Sequence, residues 1–373
     1  MQKAQIILKS GKSGSIDFGF KPDLILIFAG SKIIESHSAI GELKSKYPDS
    51  IITGCSTSGE IGGIGVYDDS LVATGVKFEK TSLAIHQIDL DSSEDSEKGG
   101  AELIGKFTKT GLRHIFVLSD GLNINGSKLV EGMRKDLTEN IAITGGLAGD
   151  GPDFQKTFVI TPNGEISDKV VVGLGFYGED LKVGYGSLGG WDTFGLERIV
   201  TKSKANVLYE IDNKPALELY KSFLGDQAKE LPASGLLFPL SMRISENDSP
   251  VVRTILAINE KEQSLTFAGD IPEGAYVKLM KANIDRLING AEGAAKVSLK
   301  GDKKPELAIL ISCVGRKLVL KQLVEEEVEA VQEVVGEDVA ICGFYSYGEI
   351  APFIQHSKCE LHNQTMTITT FAE

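Results

Sequence analysis

Three short stretches of the sequence put an acidic side chain directly after a glycine, at the end of an apolar run. They are Gly54-Cys55-Ser56-Thr57-Ser58-Gly59-Glu60, Gly145-Gly146-Leu147-Ala148-Gly149-Asp150 and Gly343-Phe344-Tyr345-Ser346-Tyr347-Gly348-Glu349. Glycine at both ends of each stretch points to a positive φ or to close approach by another group. A carboxylate on such an elbow can bind the ammonium of a small solute, with the hydroxyls of Ser56, Ser58, Tyr345 and Tyr347 beside it. It can equally accept backbone N–H groups and hold its own turn. Recurrence of the pattern must be explained before any element is assigned.

Other side chains suit the same chemistry. In Cys313-Val314-Gly315-Arg316 the guanidinium can clamp a carboxylate bidentately. The alternative is an ion pair with Glu349 or with the acidic stretch Glu325-Glu326-Glu327. Cys313 at a helix start can be an activated thiolate, with His362 as its base, which would make a Cys/His hydrolase. The plain alternative is a buried small residue. His362-Asn363-Gln364 stands just before the last strand, either as a loop entering a polar cleft or as a turn tying the end of the chain down. Asp120, Asn123 and Asn125 line the corresponding cleft of the first half, or cap a helix. His37 and His86 sit in periodic apolar segments and read as core or surface residues. Trp191 covers a pocket or packs the two halves together. There is no P-loop, no dinucleotide-binding glycine fingerprint and no His-Glu-x-x-His, so nucleotide-dependent catalysis and zinc hydrolysis have no support.

The elements that would hold these groups recur with them. Residues 24–30, 114–119 and 307–312 are apolar runs of the kind that form strands covered on both faces. Helical spacing follows each, at 32–47, 127–137 and 317–335, and then a second strand and its elbow. These lengths suit parallel strands joined by right-handed helical crossovers. Such sheets tend to bind ligands beyond the carboxyl ends of their strands, where the elbows lie. Strand patterns continue through 164–212, Pro215 opens a helix over 216–224, and 251–268 reads as a hairpin. The expected fold class is α/β (α+β): two pseudo-repeated halves, 1–200 and 201–373, with mixed sheets and strand-helix-strand crossover units.

The chain of 373 residues carries 39 Lys and Arg against 52 Asp and Glu, a net charge of −13. That balance argues against a nucleic-acid or anionic-membrane surface. No run approaches the roughly 20 apolar residues of a membrane helix, and residues 1–15 lack a signal-peptide core. The four cysteines have no metal-like spacing. A cytoplasmic location with reduced thiols is expected.

Taken together, residues 54–61, 206–217, 313–316, 343–352 and 361–366 resemble the FIST domain family, the small-ligand sensory proteins of signal transduction. The resemblance covers almost the whole chain, as an N-terminal and a C-terminal region. It implies a binding protein rather than an enzyme, with amino acids or related metabolites as ligands. Because the two regions use up the chain, it implies a separate output partner such as a histidine kinase, cyclase or chemotaxis protein. One branch of the family resembles haem-binding nitric oxide sensors. Haem needs an axial His, Cys, Met or Tyr, but none of the five histidines lies in a haem motif, and Ser241-Met242-Arg243 carries none. The expectation is no cofactor, with a haem-binding nitric oxide sensor as the alternative.

Overall fold

The first strands of the three units are apolar throughout because both of their faces are covered. Leu24–Gly30 and Leu307–Cys313 are buried at every position, and Leu112–Ser119 at all but Arg113. In this computed structural model, which describes residues 1–9, 16–36, 38–135, 137, 141–299, 303–353 and 357–373, each pairs in parallel with a second strand. The partners are Ile51–Thr57, Ala142–Leu147 and Ala340–Ser346. Parallel neighbours need a crossover, and helices Ser38–Lys46, Gly126–Arg134 and Val324–Val335 lie in the three connections. The helix expected over 317–335 is interrupted: Val314–Leu320 ends where Lys321 takes φ 55°, and a new helix starts at Val324.

Each first strand also carries an antiparallel return strand on its other side: Ser70–Lys77, Val170–Tyr177 and Met366–Ala372. An outer strand completes the edge: Gln2–Lys9, Ser82–Asp89 and Lys182–Leu188. The fold is thus mixed α/β, with mixed sheets and strand-helix-strand crossovers. The N-terminal half holds two copies of the unit and the C-terminal half the third.

Between second strand and return strand each copy makes a hairpin, and no hairpin joins its own sheet. Glu60–Gly62 of the first copy pairs with Ala340–Ser346 of the third. Val159–Ile160 of the second pairs with Ile51–Thr57 of the first, and Gly348–Pro352 of the third with Ala142–Leu147 of the second. The exchange runs round a closed circle and gives three six-stranded sheets. At the elbows it is matched by a ring of main-chain bonds: Ser58 N to Tyr345 O at 2.8 Å, Gly149 N to Ser56 O at 3.0 Å, Tyr347 N to Leu147 O at 3.2 Å. Inside the ring of sheets, Phe28, Phe116, Phe176, Phe344 and Phe371 share one core.

The third copy carries an insertion after its outer strand. Residues 192–281 form an eight-stranded sheet with its own core around Leu217, Tyr220, Leu265 and Phe267. Position 200, the expected division, lies in the strand Asp192–Lys204 of this insertion. Trp191 stands at the junction. Its Nε1 donates to Gln364 O at 2.8 Å and its ring packs with Val252 and Leu287, so it joins insertion to repeat. Among the described residues no helix is long and apolar enough to cross a membrane.

Candidate functional site

The elbow acids are braces first. Glu60 accepts from Thr57 Oγ1, Ser70 N at 3.0 Å and Ser70 Oγ at 2.6 Å. Glu349 accepts from Ser346 Oγ at 2.7 Å, Thr365 N at 3.1 Å and Thr365 Oγ1 at 2.9 Å. In both, a hydroxyl three residues upstream and the start of the return strand hold one carboxylate. In the second copy Asp120 performs the return-strand contact from the neighbouring strand, accepting from Lys169 N at 2.7 Å and from Thr157 Oγ1. Asp150 instead accepts from the backbone N–H groups of Phe154, Gln155 and Lys156 and from the Tyr347 hydroxyl.

These bonds do not make up for lost water. Burial pushes Glu349 up to about 8 and Glu60 up to about 7, against hydrogen bonds that pull the other way. A folded-state pKa above the unfolded one adds stability that is complete below about 4.5 and lost as pH rises through the folded value. The buried His114 and His362 are shifted down, to about 3 and about 4, so they act below their ordinary 6.5 and leave the range above it to the acids. Wild-type stability should therefore fall between pH 6.5 and 8. In Glu349→Gln, whose amide stays neutral, the unfolding free energy from urea titrations should fall less over that range, by about 2 kcal/mol. Equal slopes for both proteins would contradict the assignment.

Of the residues singled out in the sequence, Ser58, Glu60 and Asp150 border a cleft of about 410 Å³, with Lys32, Asp68, Asp69 and Lys317. Lys317 Nζ donates to Ser58 O at 2.8 Å and to Asp68, and stands 5.5 Å over the Tyr345 ring. Ser56 Oγ accepts from Phe158 N at 2.9 Å inside the exchanged hairpin. Tyr345 is fully buried with its hydroxyl 2.6 Å from Glu327, and Tyr347 stacks on Phe154 at 4.3 Å. Neither hydroxyl faces a cleft beside Glu349.

Arg316 does not present a free fork. Its Nε and Nη2 meet Glu327 Oε2 at 3.0 and 2.8 Å, and its remaining contacts are the carbonyls of Gly189, Leu287 and Gln364. Both ends of the ion pair are fully buried, so the acidic helix is its partner, the second of the two readings. Cys313 is buried, and desolvation pushes its thiol far above the ordinary range. His362 Nε2 lies 2.8 Å from Ala351 O, and burial keeps the ring neutral. No hydrogen bond joins the two, so the geometry does not activate a thiol.

The larger cleft lies elsewhere. It has a volume of about 1230 Å³ and is walled on one side by the helix Gly126–Arg134 of the N-terminal half. The other walls are the insertion, at residues 242–253 and 270–273, and the exchanged hairpin, at Phe353 and Glu360. Asn125 caps the helix through Lys128 N, and its Nδ2 donates to Asp270 Oδ1 at 3.1 Å, pinning the insertion across the opening. Five cationic and seven acidic side chains line it.

Sequence reading passed over Arg253, which sits in this wall at 4% exposure. A charged residue inside the apolar run Val251-Val252-Arg253 was the available signal, since arginine is seldom fully buried unless paired. Behind it lie His362 and Asn363. The Nδ1 of His362, both polar side-chain atoms of Asn363 and both of Gln364 are buried without a partner. The Phe353 ring, which lines the cleft, meets His362 edge-on at 4.2 Å. His362 and Asn363 thus stand one layer behind a polar cleft, and the return strand's start is tied down through Thr365.

The described residues do not fit a haem. His114 Nε2 is held 2.8 Å from Thr144 Oγ1, His362 is held by Ala351 O, and His86 packs on Phe107 at 4.8 Å. His37 and His356 lie outside the described residues. Among the described residues lining the larger cleft there is no His, Cys or Tyr, and Met242 belongs to the core of the insertion. No metal-ligating cluster occurs among the described residues.

Comparison with known proteins agrees with the two-part organisation. The chain is 26% identical over 353 residues to Uncharacterized protein MJ1623 of Methanocaldococcus jannaschii, a match that covers 82% of this chain and 65% of that protein. The chain thus spans somewhat under two thirds of the length of this curated relative. The FIST N domain matches residues 23–214 and the FIST C domain residues 216–352. The chain therefore belongs to the FIST family, whose domains are associated with small-ligand sensing in signal transduction.

Proposed function

We infer that this protein is a sensory binding protein rather than an enzyme, and that it holds an amino acid or related metabolite in the cleft between its N-terminal half and the insertion of its C-terminal half. The observation that carries this reading is the larger cleft itself: about 1230 Å³, walled by both halves, with a polar and mixed-charge lining. Ligand pockets commonly lie at such joints between parts of a fold, and this cleft exceeds their usual volume of roughly 300–1,000 Å³. A solute touching both walls favours one arrangement of the halves over another, and only unequal affinity for the two shifts their populations. The signal then passes to a separate output protein in the cytoplasm, such as a histidine kinase, a cyclase or a chemotaxis protein. The smaller cleft at Ser58, Glu60 and Asp150 is the second place where an ammonium would be met.

A thermal-shift screen of the protein amino acids, common organic acids and amines tests the reading, with calorimetry on each hit. A true ligand at a hundredfold excess over its Kd should stabilise the fold by about 2.7 kcal/mol. Silence across the whole panel would reject the proposal.

A further inference from the structure

Among the described residues Arg253 is the one buried cation of the larger cleft, and no carboxylate there pairs with it directly. Its Nε donates to Asp270 O at 3.1 Å, and its Nη1 to Val252 O at 3.2 Å and Leu361 O at 3.0 Å. These three carbonyls take three of the five N–H donors of a guanidinium. The two on Nη2 make no hydrogen bond among the described residues, where the contacts of the guanidinium are carbonyls alone. The nearest acids are engaged: Asp270 Oδ1 accepts from Asn125, and Glu360 accepts from Arg134 at 2.6 Å. Desolvation lowers the Arg253 pKa to about 10, against the charges of Glu360 and Asp270 that act from beyond contact, so the charge is present at neutral pH. A buried, unpaired charge is costly and is ordinarily matched by an anion.

The surroundings repeat the message. Thr254 Oγ1, the next residue, is buried without a partner, as are His362 Nδ1, at the end of the strand that Arg253 grips through Leu361 O, and the amide groups of Asn363 and Gln364 in the turn that follows. The orphaned groups among the described residues thus include the neighbour of Arg253 and three consecutive residues beyond Leu361, of which Gln364 turns its amide toward Gly315. The rest of the lining is net acidic, which disfavours a dianion and favours a cationic group at the other end of the solute.

We propose that Arg253 is the carboxylate receptor of the larger cleft, taking one oxygen of a zwitterionic ligand on Nη2 while acidic side chains of the lining, Asp270 through its second oxygen and Glu273 among them, meet its ammonium. The assignment rests on the reading that the cleft binds a small ligand, and it names the end of the ligand that the protein recognises.

The test compares amino acids with their α-carboxamides and with the corresponding amines by calorimetry, on wild type, Arg253→Met and Arg253→Lys. Loss of a charge-assisted hydrogen bond predicts affinity lower by about tenfold to a hundredfold for the carboxamide and for Arg253→Met. Arg253→Lys, which keeps the charge, should recover part of it. The carboxamide arm uses wild-type protein and stands even where Arg253→Met fails to fold. Inorganic phosphate is the control anion, and binding of phosphate in preference to every carboxylate would overturn the proposal. Amino-acid binding that ignores both the carboxylate and Arg253 overturns this assignment and leaves the sensory reading standing. No binding of any probe to wild type overturns both.

Discussion

Arg316→Ala is expected to lose about 3–5 kcal/mol of folding stability, because it leaves a buried carboxylate uncompensated. The Arg316–Glu327 pair is fully buried on both sides. Glu327 also accepts from Ser312 Oγ at 3.0 Å and Tyr345 OH at 2.6 Å, so the first strand, the second strand and the helix Val324–Val335 of the third copy meet at one carboxylate. Arg316 adds Leu287 O, in the helix Ile284–Ser298, at 2.8 Å, together with the carbonyl of Gly189 beside the insertion. Urea denaturation reads the effect as a lower midpoint with an unchanged m-value. The double variant Arg316→Met with Glu327→Leu should lose less than the two single changes summed, since it removes the charge left behind as well. A near-wild-type midpoint for Arg316→Ala, with loss of ligand binding instead, would restore the role of carboxylate clamp that the sequence allows.

Much of this architecture is legible in the sequence because its signals are local. Residues 24–30 and 307–312 are short, continuously apolar and followed by turn signals, as strands covered on both faces are, and the elbow glycines announce a backbone with a near neighbour. The exchange of hairpins is not legible. Glu60-Ile61-Gly62 has one appearance whether it pairs at home or with the third copy, and a strand of three residues cannot encode its partner. The two arginines show the same limit. Arg316 and Arg253 each sit at the edge of an apolar run, and which one finds an acid depends on tertiary contacts. Glu327 lies eleven residues beyond Arg316, across the break at Lys321, so helical i,i+4 spacing does not pair them. Asp120 illustrates a third case. It reads as a helix cap with Asn123 and Asn125, and the structure makes Asn125 the cap and Asp120 the brace of the return strand. The function of an acid at a bend is set by which strand arrives beside it.

Gly54→Ala, Gly145→Ala and Gly343→Ala should each destabilise the protein by about 3 kcal/mol or more, beyond the usual range for adding one methyl to a packed core. The three glycines occupy one place in the repeat, opposite Ile27, Val117 and Leu310 in the parallel pairs. A Cβ on any of them would overlap the carbonyl oxygen of that opposite residue. Backbone cannot rotate away as a side chain does, so the two central strands of the sheet would have to separate. They lead straight into the elbows, where Ser58, Gly149 and Tyr347 close the main-chain ring. Separation at one glycine therefore strains contacts in a second copy, and the loss should be felt across both halves. Gly41 in the helix Ser38–Lys46 is the control, since a Cβ there meets nothing within 4 Å. Gly41→Ala should be neutral or stabilising by about 0.5–1 kcal/mol. Thermal and urea unfolding of the four variants compare them directly. If the three copies are equivalent in the fold, the three losses should be alike; a strand pair that accepts alanine without loss would show that its close approach is not what holds the elbows together.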